Sequence, residues 1–397
     1  MISAANRPYI DASVPVLREH GLTITRTFYT KLFAAHPELA DTFNMGNQAN
    51  GAQQQSLASA VFAYAANIGN PGALGPVVNR IVHKHASVGI RAEHYPLVGA
   101  CLLESIAEVL GDAATAPLLA AWDEAYNSLA ALFIDAERKL YGDTAAAGAT
   151  SAMEVVEVLE QSADVVSIRL RPADGSAPPA FKPGQYVSVH VSFADGSRQI
   201  RQYSLSDAAD GKTLRVSVKR EAAGAETPAG AVSNWLHDHA KVGGVLQVSH
   251  PYGDFTPDTE SDEPIVLLSA GVGITPMIAT LARIAQVHPQ RRVLFAHAAR
   301  DASHHAHQAD LEALKQRMPH LAVALFYETM NGESGVLPGR MTLETLPSWP
   351  RSETEVWMCG PLGFMQAQWQ ALVAAGVPMA RLHREVFGPE ALDHLLG

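Results

Sequence analysis

Hydrophobic and polar positions divide the chain into stretches of different period. From residue 1 to about 140, apolar residues recur three and four apart, the spacing that lines one face of a helix, and strand-like alternation is scarce. Residues 142–150 are small and patternless and read as a linker. From 153, short alternating runs such as 165–170, 186–191 and 214–218 stand between Pro and Gly clusters, which predicts an antiparallel β-barrel or sandwich to about 257. From 264, continuous apolar runs at 265–268, 293–296, 323–327 and 356–358 alternate with helical segments, the pattern of a doubly wound parallel sheet. The expected organisation is multidomain: an all-α domain over 1–141, a linker over 142–152, an antiparallel β-domain over 153–260 and an α/β domain over 261–397. No internal repeat is visible.

Several polar residues interrupt the apolar helical faces. Val78, Ile81, Val82, His85 and Val88 share one face, and His85 lies on that stripe. His83, about 200° away around the helix, does not, so one histidine faces inward and the other outward. Taken alone, an inward histidine is more often a hydrogen-bonded core residue than a ligand. Tyr29 shares a stripe with Leu22, Thr25, Leu32 and Phe33, and Gln53 begins one through Leu57, Val61 and Tyr64. Tyr95 begins a stripe through Val98, Leu102 and Ile106, and Glu137 ends one through Trp122, Tyr126 and Phe133. Each could be a boundary residue, but a carboxylate on an apolar face must be paired or neutralised. Together they point to a cavity with chemistry.

Those residues carry a resemblance. Phe28-Tyr29, the run from Phe43 through Asn44, Met45, Gly46 and Asn47 to Gln48, then Gln53, Leu57, Lys84-His85 and Tyr95 resemble, in order and spacing, the globin domain of the flavohaemoglobins over nearly all of 1–140. The resemblance implies that His85 ligates the iron of haem b. It implies that Tyr29, Gln53 and Leu57 form the distal pocket, with Tyr95 and Glu137 on the proximal side. A buried carboxylate accepting the second ring proton of His85 would make the imidazole a stronger donor, and the Tyr29 hydroxyl would donate to bound dioxygen. The alternative for Glu137 is an exposed carboxylate at a helix end.

The remaining motifs resemble the reductase part of the same family. Lys182-Pro183-Gly184-Gln185-Tyr186 followed by Arg201-Gln202-Tyr203-Ser204 resembles the FAD-binding element of the ferredoxin reductases, whereas either alone reads as a turn and a polar strand. By that resemblance Arg201 meets the diphosphate, Tyr203 packs on the flavin, Ser204 bonds its reactive nitrogen, and Gln202, Tyr186 and Ser233 lie nearby. After the strand at 265–269, Gly271-Val272-Gly273-Ile274-Thr275-Pro276 precedes a helix expected from Met277, a loop suited to the pyrophosphate of NADH or NADPH. Cys359-Gly360-Pro361 resembles the nicotinamide-side motif, although a small buried residue is the plainer reading of Cys359. Glu385-Val386-Phe387-Gly388-Pro389 resembles the segment that covers the flavin, which implies that Glu385 lies near the haem–flavin gap with Lys84. The chain departs from the pattern at Val386, where Cys is common, and at Ile274, where Gln is common. Residues 222–231 read as a loop insertion, and the tail after Pro389 runs long. Arg300 is either a 2′-phosphate contact or a surface residue. His304-His305-Ala306-His307 reads as a solvated loop or helix start rather than a metal site.

Composition narrows the class. A net charge of −11 without clustered Lys and Arg argues against nucleic acid as a partner. Two distant cysteines form no disulfide framework and fit a reducing compartment. No leader-like pattern or membrane-length apolar run is seen, so a cytoplasmic monomer is expected. The resemblance as a whole implies a nitric oxide dioxygenase in which NAD(P)H reduces FAD and FAD reduces haem, with dioxygen and nitric oxide as substrates and a lipid as a further occupant of the distal pocket. The alternatives are an oxygen or nitric oxide sensor or carrier, and a general flavin reductase of ferric iron, quinones or peroxides. A dedicated electron supply argues against a carrier.

Overall fold

The computed structural model describes residues 2–43, 45–224 and 227–388. Asn44, Pro389 and the tail beyond it, and residues 225–226 of the expected insertion lie outside the described residues.

The first stretch forms helices α1 (Arg7–Ala35), α2 (Met45–Ala49), α3 (Ala52–Ala66), α4 (Gly75–Val88), α5 (His94–Leu110) and α6 (Ala116–Asp143). Ile24, Phe28 and Leu32 of α1 pack with Leu102 and Ile106 of α5 and with Trp122 of α6 in one core. A smaller cluster around Val82, Tyr95 and Phe133 joins α4, α5 and α6. The separation of the two cores leaves room for a cavity between them.

The irregular connection is shorter than 142–152: α6 runs to Asp143 and strand β1 (Thr150–Glu160) starts before 153. Thr144 Oγ1 closes the last turn of α6 by donating to Leu140 O at 2.6 Å. The small residues at 150–152 become strand because they pair with residues 247–249, a partner that local propensity does not announce.

Strands β1, β2 (Val165–Pro172), β3 (Tyr186–Ser192), β4 (Arg198–Ser204) and β5 (Leu214–Lys219), helix α7 (Ala231–His239) and strand β6 (Val245–Ser249) follow. The sheet order is β4-β3-β6-β1-β2-β5, all antiparallel. A bridge from Leu205 to Val216 joins the two outer strands and closes the sheet into a barrel. Alternate residues such as Val187, Val189, Val216 and Val218 fill its interior.

The third unit comprises β7 (Ile265–Ala270), α8 (Ile274–Val287), β8 (Val293–Ala299), α9 (Gln308–Arg317), β9 (Leu321–Tyr327), β10 (Leu337–Pro338), β11 (Glu355–Cys359), α10 (Leu362–Ala374) and β12 (Leu382–Glu385). All its pairings are parallel, in the order β10-β9-β8-β7-β11-β12. Strand order reverses between β7 and β11, so the loops after these two strands face one crevice, where such sheets bind ligands. Helix α8 begins at Ile274, not Met277, because Gly271–Gly273 form a single tight turn that feeds directly into it. Pro276 falls in its first turn, where a missing N–H costs nothing.

Candidate active site

His85 sits in the last turn of α4, which ends on the left-handed Gly89. Its Nδ1–H donates to Glu137 Oε1 at 2.8 Å, and the Tyr95 hydroxyl donates to the same oxygen at 2.5 Å. Glu137 is 2% exposed, so it is not a solvated helix-end carboxylate. The carboxylate accepts only, which assigns the ring proton to Nδ1 and leaves the Nε2 lone pair on a ring that lines the cavity. Burial first, then the Glu137 charge, pushes the Tyr95 phenol far up, so it stays a donor. Tyr95 is itself fixed by Tyr126, whose hydroxyl donates to Tyr95 O at 2.6 Å. Gly99 makes room for this: a Cβ there would lie 2.5 Å from the Tyr126 ring.

Across the cavity stands Tyr29, buried and packed edge-on to Phe28 and Phe43 at 4.8 and 5.7 Å. Burial pushes its phenol up to about 12, opposed by hydrogen bonding with Gln53 and Gln48. Gln48 was quoted above only as part of a run; the structure adds it to the Tyr29 group. Gln53 and Leu57 line the same cavity.

This cavity, about 950 Å³, continues out of the helical unit into the barrel and reaches the parallel-sheet unit. Its first part has apolar walls, including Val61, Ile81, Val98 and Phe133, and two imidazoles, His85 and His94, of which His94 has both ring nitrogens against Arg91. Among the described residues no cluster of three or more His, Cys, Asp or Glu could hold a bare metal ion. That donor set suits an iron already held in a macrocycle, so the residues fit haem.

Further along, Arg201, Gln202, Tyr203 and Ser204 of β4, Tyr186 of β3 and Ser233 of α7 line the cavity. Arg201 donates to Ile200 O and Gln199 Oε1, each at 2.6 Å, and burial lowers its pKa. A half-buried guanidinium, a helix N-terminus without acidic residues and a buried tyrosine on one wall fit a dinucleotide with an aromatic ring system. The irregular 227–230 segment also faces the cavity, and Ala231 begins α7 rather than ending a loop.

The nicotinamide-side motifs meet backbone to backbone. A Cβ on Gly273 would strike the Cys359 carbonyl and lie 2.7 Å from Gly360 N. Gly271 has φ +53°. Val272 and Thr275 face the cavity, whereas Ile274 is buried in the core between α8 and the sheet, and Pro276 is buried in α8. Cys359 lies in that core as well, its thiol pushed far up by burial and then by Glu385; the motif contributes Gly360 and Pro361 to the turn that follows. The close-packed glycine loop at the strand crossover fits a pyrophosphate.

The units are joined behind His85. His83 does not face solvent: its Nδ1 accepts from Gly253 N at 3.1 Å, because the barrel covers the outer face of α4. Gln202 Nε2 donates to Ser87 Oγ at 3.1 Å, and Arg80 lies 3.8 Å from Asp254. Lys84 Nζ donates to Gly388 O at 3.0 Å, and buried Glu385 accepts from Val386 N at 3.0 Å; Lys84, Glu385, Val386 and Phe387 all reach the cavity. His305 and His307 are also not solvated. Both are buried: His305 bonds the Tyr327 hydroxyl of β9 at 2.8 Å inside the parallel-sheet unit, and His307 is covered by Ser217 of β5. Arg300 lies 3.2 Å from His304 on the surface.

A globin with a cavity-lining histidine backed by a carboxylate, in series with a flavin- and nicotinamide-type oxidoreductase, is the class that fold and site define. The chain matches the Globin family over residues 26–132, the Oxidoreductase FAD-binding domain over 152–256 and the Oxidoreductase NAD-binding domain over 267–370. It is 47% identical to the flavohemoproteins of Chromobacterium violaceum, covering 99% of this chain and 100% of that one, and of Bordetella parapertussis, covering 98% and 99%. The crystal structure of a Malassezia yamatoensis flavohemoglobin with bound FAD and heme superposes with a TM-score of 0.88 at 31% identity, covering 98% of this chain and 100% of that one. The FAD/NAD-binding domain of a nitric oxide dioxygenase from Vibrio cholerae matches with a TM-score of 0.56 at 39% identity, over 60% of this chain and 99% of that one. The chain belongs to the flavohemoprotein family.

Proposed function

We propose that the protein is an NAD(P)H-dependent nitric oxide dioxygenase, with dioxygen and nitric oxide as substrates and nitrate as product. The observation that carries this is the single cavity lined by His85 and Tyr29 at one end, by Tyr203 and Ser204 in the middle, and by Val272 and Thr275 at the other. When bound, FAD takes two electrons from NAD(P)H and delivers them singly, and haem iron brings dioxygen and nitric oxide together.

The chain's residues prepare each part. Glu137 fixes the tautomer of His85 and makes Nε2 a stronger donor, the property needed to activate dioxygen rather than store it. Tyr29, neutral at ordinary pH, supplies a hydroxyl proton toward negative charge developing in the distal space, with Gln53 and Gln48 orienting it and Leu57 limiting room. Arg201, Gln202, Tyr203, Ser204, Tyr186 and Ser233 orient FAD. Gly271, Gly273 and Gly360 let the backbone approach the nicotinamide nucleotide, either NADH or NADPH. Lys84 and Glu385 hold the segment between flavin and haem.

With this reading go a haem domain ending at Asp143, a linker over 144–149, an FAD domain over 150–260 and a nucleotide domain over 261–397, in a cytoplasmic monomer. The apolar distal walls also give an acyl chain a place to lie, so lipid belongs to the proposed ligands. Among the described residues no helix is long and apolar enough to cross a membrane.

The test is nitric oxide decay in air with haem- and FAD-loaded protein. Decay through many turnovers only with NADH or NADPH is the expected result. A single stoichiometric drop would sink the dioxygenase reading in favour of a carrier.

A further inference from the structure

The barrel and the parallel-sheet unit meet over a buried polar network outside the cofactor motifs. His307 is fully buried and is the one non-glycine residue with positive φ (60°) among the described residues. Its Nδ1–H donates to Asp310 Oδ2 at 2.8 Å, and its Nε2 accepts from Ser217 Oγ of β5 at 2.9 Å. Ser206 Oγ lies 2.8 Å from Ser217 Oγ. Arg215, also buried, donates from Nη2 to Asp310 Oδ2 at 2.8 Å and to Ser206 O at 2.5 Å. The His307 backbone N–H donates to Gln161 Oε1 at 3.2 Å, and Ala163 N to Ser303 O at 2.8 Å, both across the same interface. The order Ser–His–Asp is that of a hydrolytic triad, but Ser217 sits in mid-strand opposite Ser167 and is almost fully buried, so it is no nucleophile.

The position of the network gives it meaning. On the barrel side, Leu205, which follows Ser204, bridges to Val216, the neighbour of Ser217. On the other side, His307 and Asp310 follow β8, whose Ala298 pairs with Ala270, the residue before the Gly271 turn. Ser217, Val272 and Thr275 line the cavity from opposite units. Elsewhere Phe255 meets Trp357 edge-on at 4.9 Å and Val165 joins the core of the parallel-sheet unit, while Arg283 and Arg291 bond the connecting segment, at Glu260 and Asp258. Apolar contact resists separation but is non-directional, whereas hydrogen bonds fix orientation.

We infer that Ser217, His307, Asp310 and Arg215 are positioning residues that hold the nucleotide-binding unit at the angle needed for hydride transfer to the flavin. This rests on the oxidoreductase reading above. Loosening the network at His307 or Asp310, neither of which lines the cavity, leaves both binding surfaces intact but spreads the donor–acceptor geometry.

The test uses the full chain loaded with haem and FAD, mixed anaerobically with NADH while flavin reduction is followed. In Ser217→Ala, His307→Asn and Asp310→Asn the limiting rate is expected to fall about tenfold while half-saturation by NADH stays within about twofold, the signature of lost orientation rather than lost binding. The double variant of Ser217 and His307 should be no slower than the slower single one, since both break the same bond. In cofactor-free protein, hydrogen exchange at the His307 and Ala163 amides should accelerate in the variants. If His307→Asn does not retain FAD, Asp310→Asn, which keeps the side-chain size and lies outside the cavity lining, decides. Unchanged limiting rates, or a loss confined to half-saturation, overturn the inference. A wild-type flavin that neither NADH nor NADPH reduces at all would instead overturn the oxidoreductase reading.

Discussion

Replacing Glu137 by glutamine tests whether the carboxylate tunes the iron or only fills space. Glu137 Oε1 receives two hydrogen bonds, from His85 Nδ1 at 2.8 Å and from Tyr95 at 2.5 Å, in a site 2% exposed. A glutamine oxygen can accept both, but without its charge each bond weakens by about 1 kcal/mol. Only the bond from His85 bears on the iron, and about 1 kcal/mol in a one-electron couple is roughly 40 mV. A less electron-rich Nε2 favours the reduced metal, so the haem midpoint potential should rise, by at most about that amount, since only the part of the change that differs between oxidation states counts. The iron–histidine stretching frequency of the reduced protein should fall with it. The new amide N–H group has no carboxylate to meet, so stability should drop by about 1–3 kcal/mol. Redox titration and resonance Raman of the loaded variant read the first two effects, and denaturant unfolding reads the third. A loss of stability with potential and stretching frequency unchanged would refute electronic tuning and leave Glu137 a packing residue.

Tyr29→Phe removes the distal donor while keeping the ring against Phe28 and Phe43; dioxygen should dissociate faster and turnover fall by about tenfold or more, and an unchanged dissociation rate would remove the distal role. In Gly273→Ala the new Cβ meets the Cys359 carbonyl, so the loops must part; NADH affinity should fall while haem and FAD content, measured by absorbance, stay full. Acid should loosen the joint between barrel and parallel-sheet unit. Asp310 is held down to about 2, against burial, by His307 and Arg215; with a folded pKa below the unfolded one, its stabilisation is present above about pH 4 and lost as pH falls toward 2. His307, lowered by burial, adds a loss that begins as pH falls through its unfolded value of about 6.5. Below about pH 4 melting temperature should therefore be flatter against pH in Asp310→Asn, and an equally steep curve there would show that other groups dominate.

The helical, antiparallel and parallel layers were readable because each leaves its own period in the sequence. The inward direction of His85, Tyr29 and Glu137 was readable for the same reason: a helix of known pitch fixes which residues share a face. What a face meets was not readable. His83 was expected to point to water, and it does point away from the helical core, but Gly253, 170 residues on, occupies that space. His305 and His307 were expected to be solvated because their local sequence is polar; Ser217, 90 residues earlier, covers His307, and Tyr327 of β9 covers His305. The start of β1 was missed because Thr150 and Ser151 become strand only by pairing with Ser249 and Val248. Gln48 carried a signal, its place in a run similar to the family's, but the chain path that brings it beside Tyr29 has no local signature.

The bond between Lys84 and Gly388 spans 304 residues, and it bears on the order in which the molecule is made. Helices α1–α6, with His85, Glu137 and Tyr29, have left the ribosome long before β12 is synthesised. A nascent chain can thus complete the oxygen-facing chamber while the segment at residues 385–388, which walls its passage toward the reductase, does not yet exist. In order of synthesis the passage is therefore walled last, after the glycine turn at residues 271–273 and strands β7 to β11 have been made.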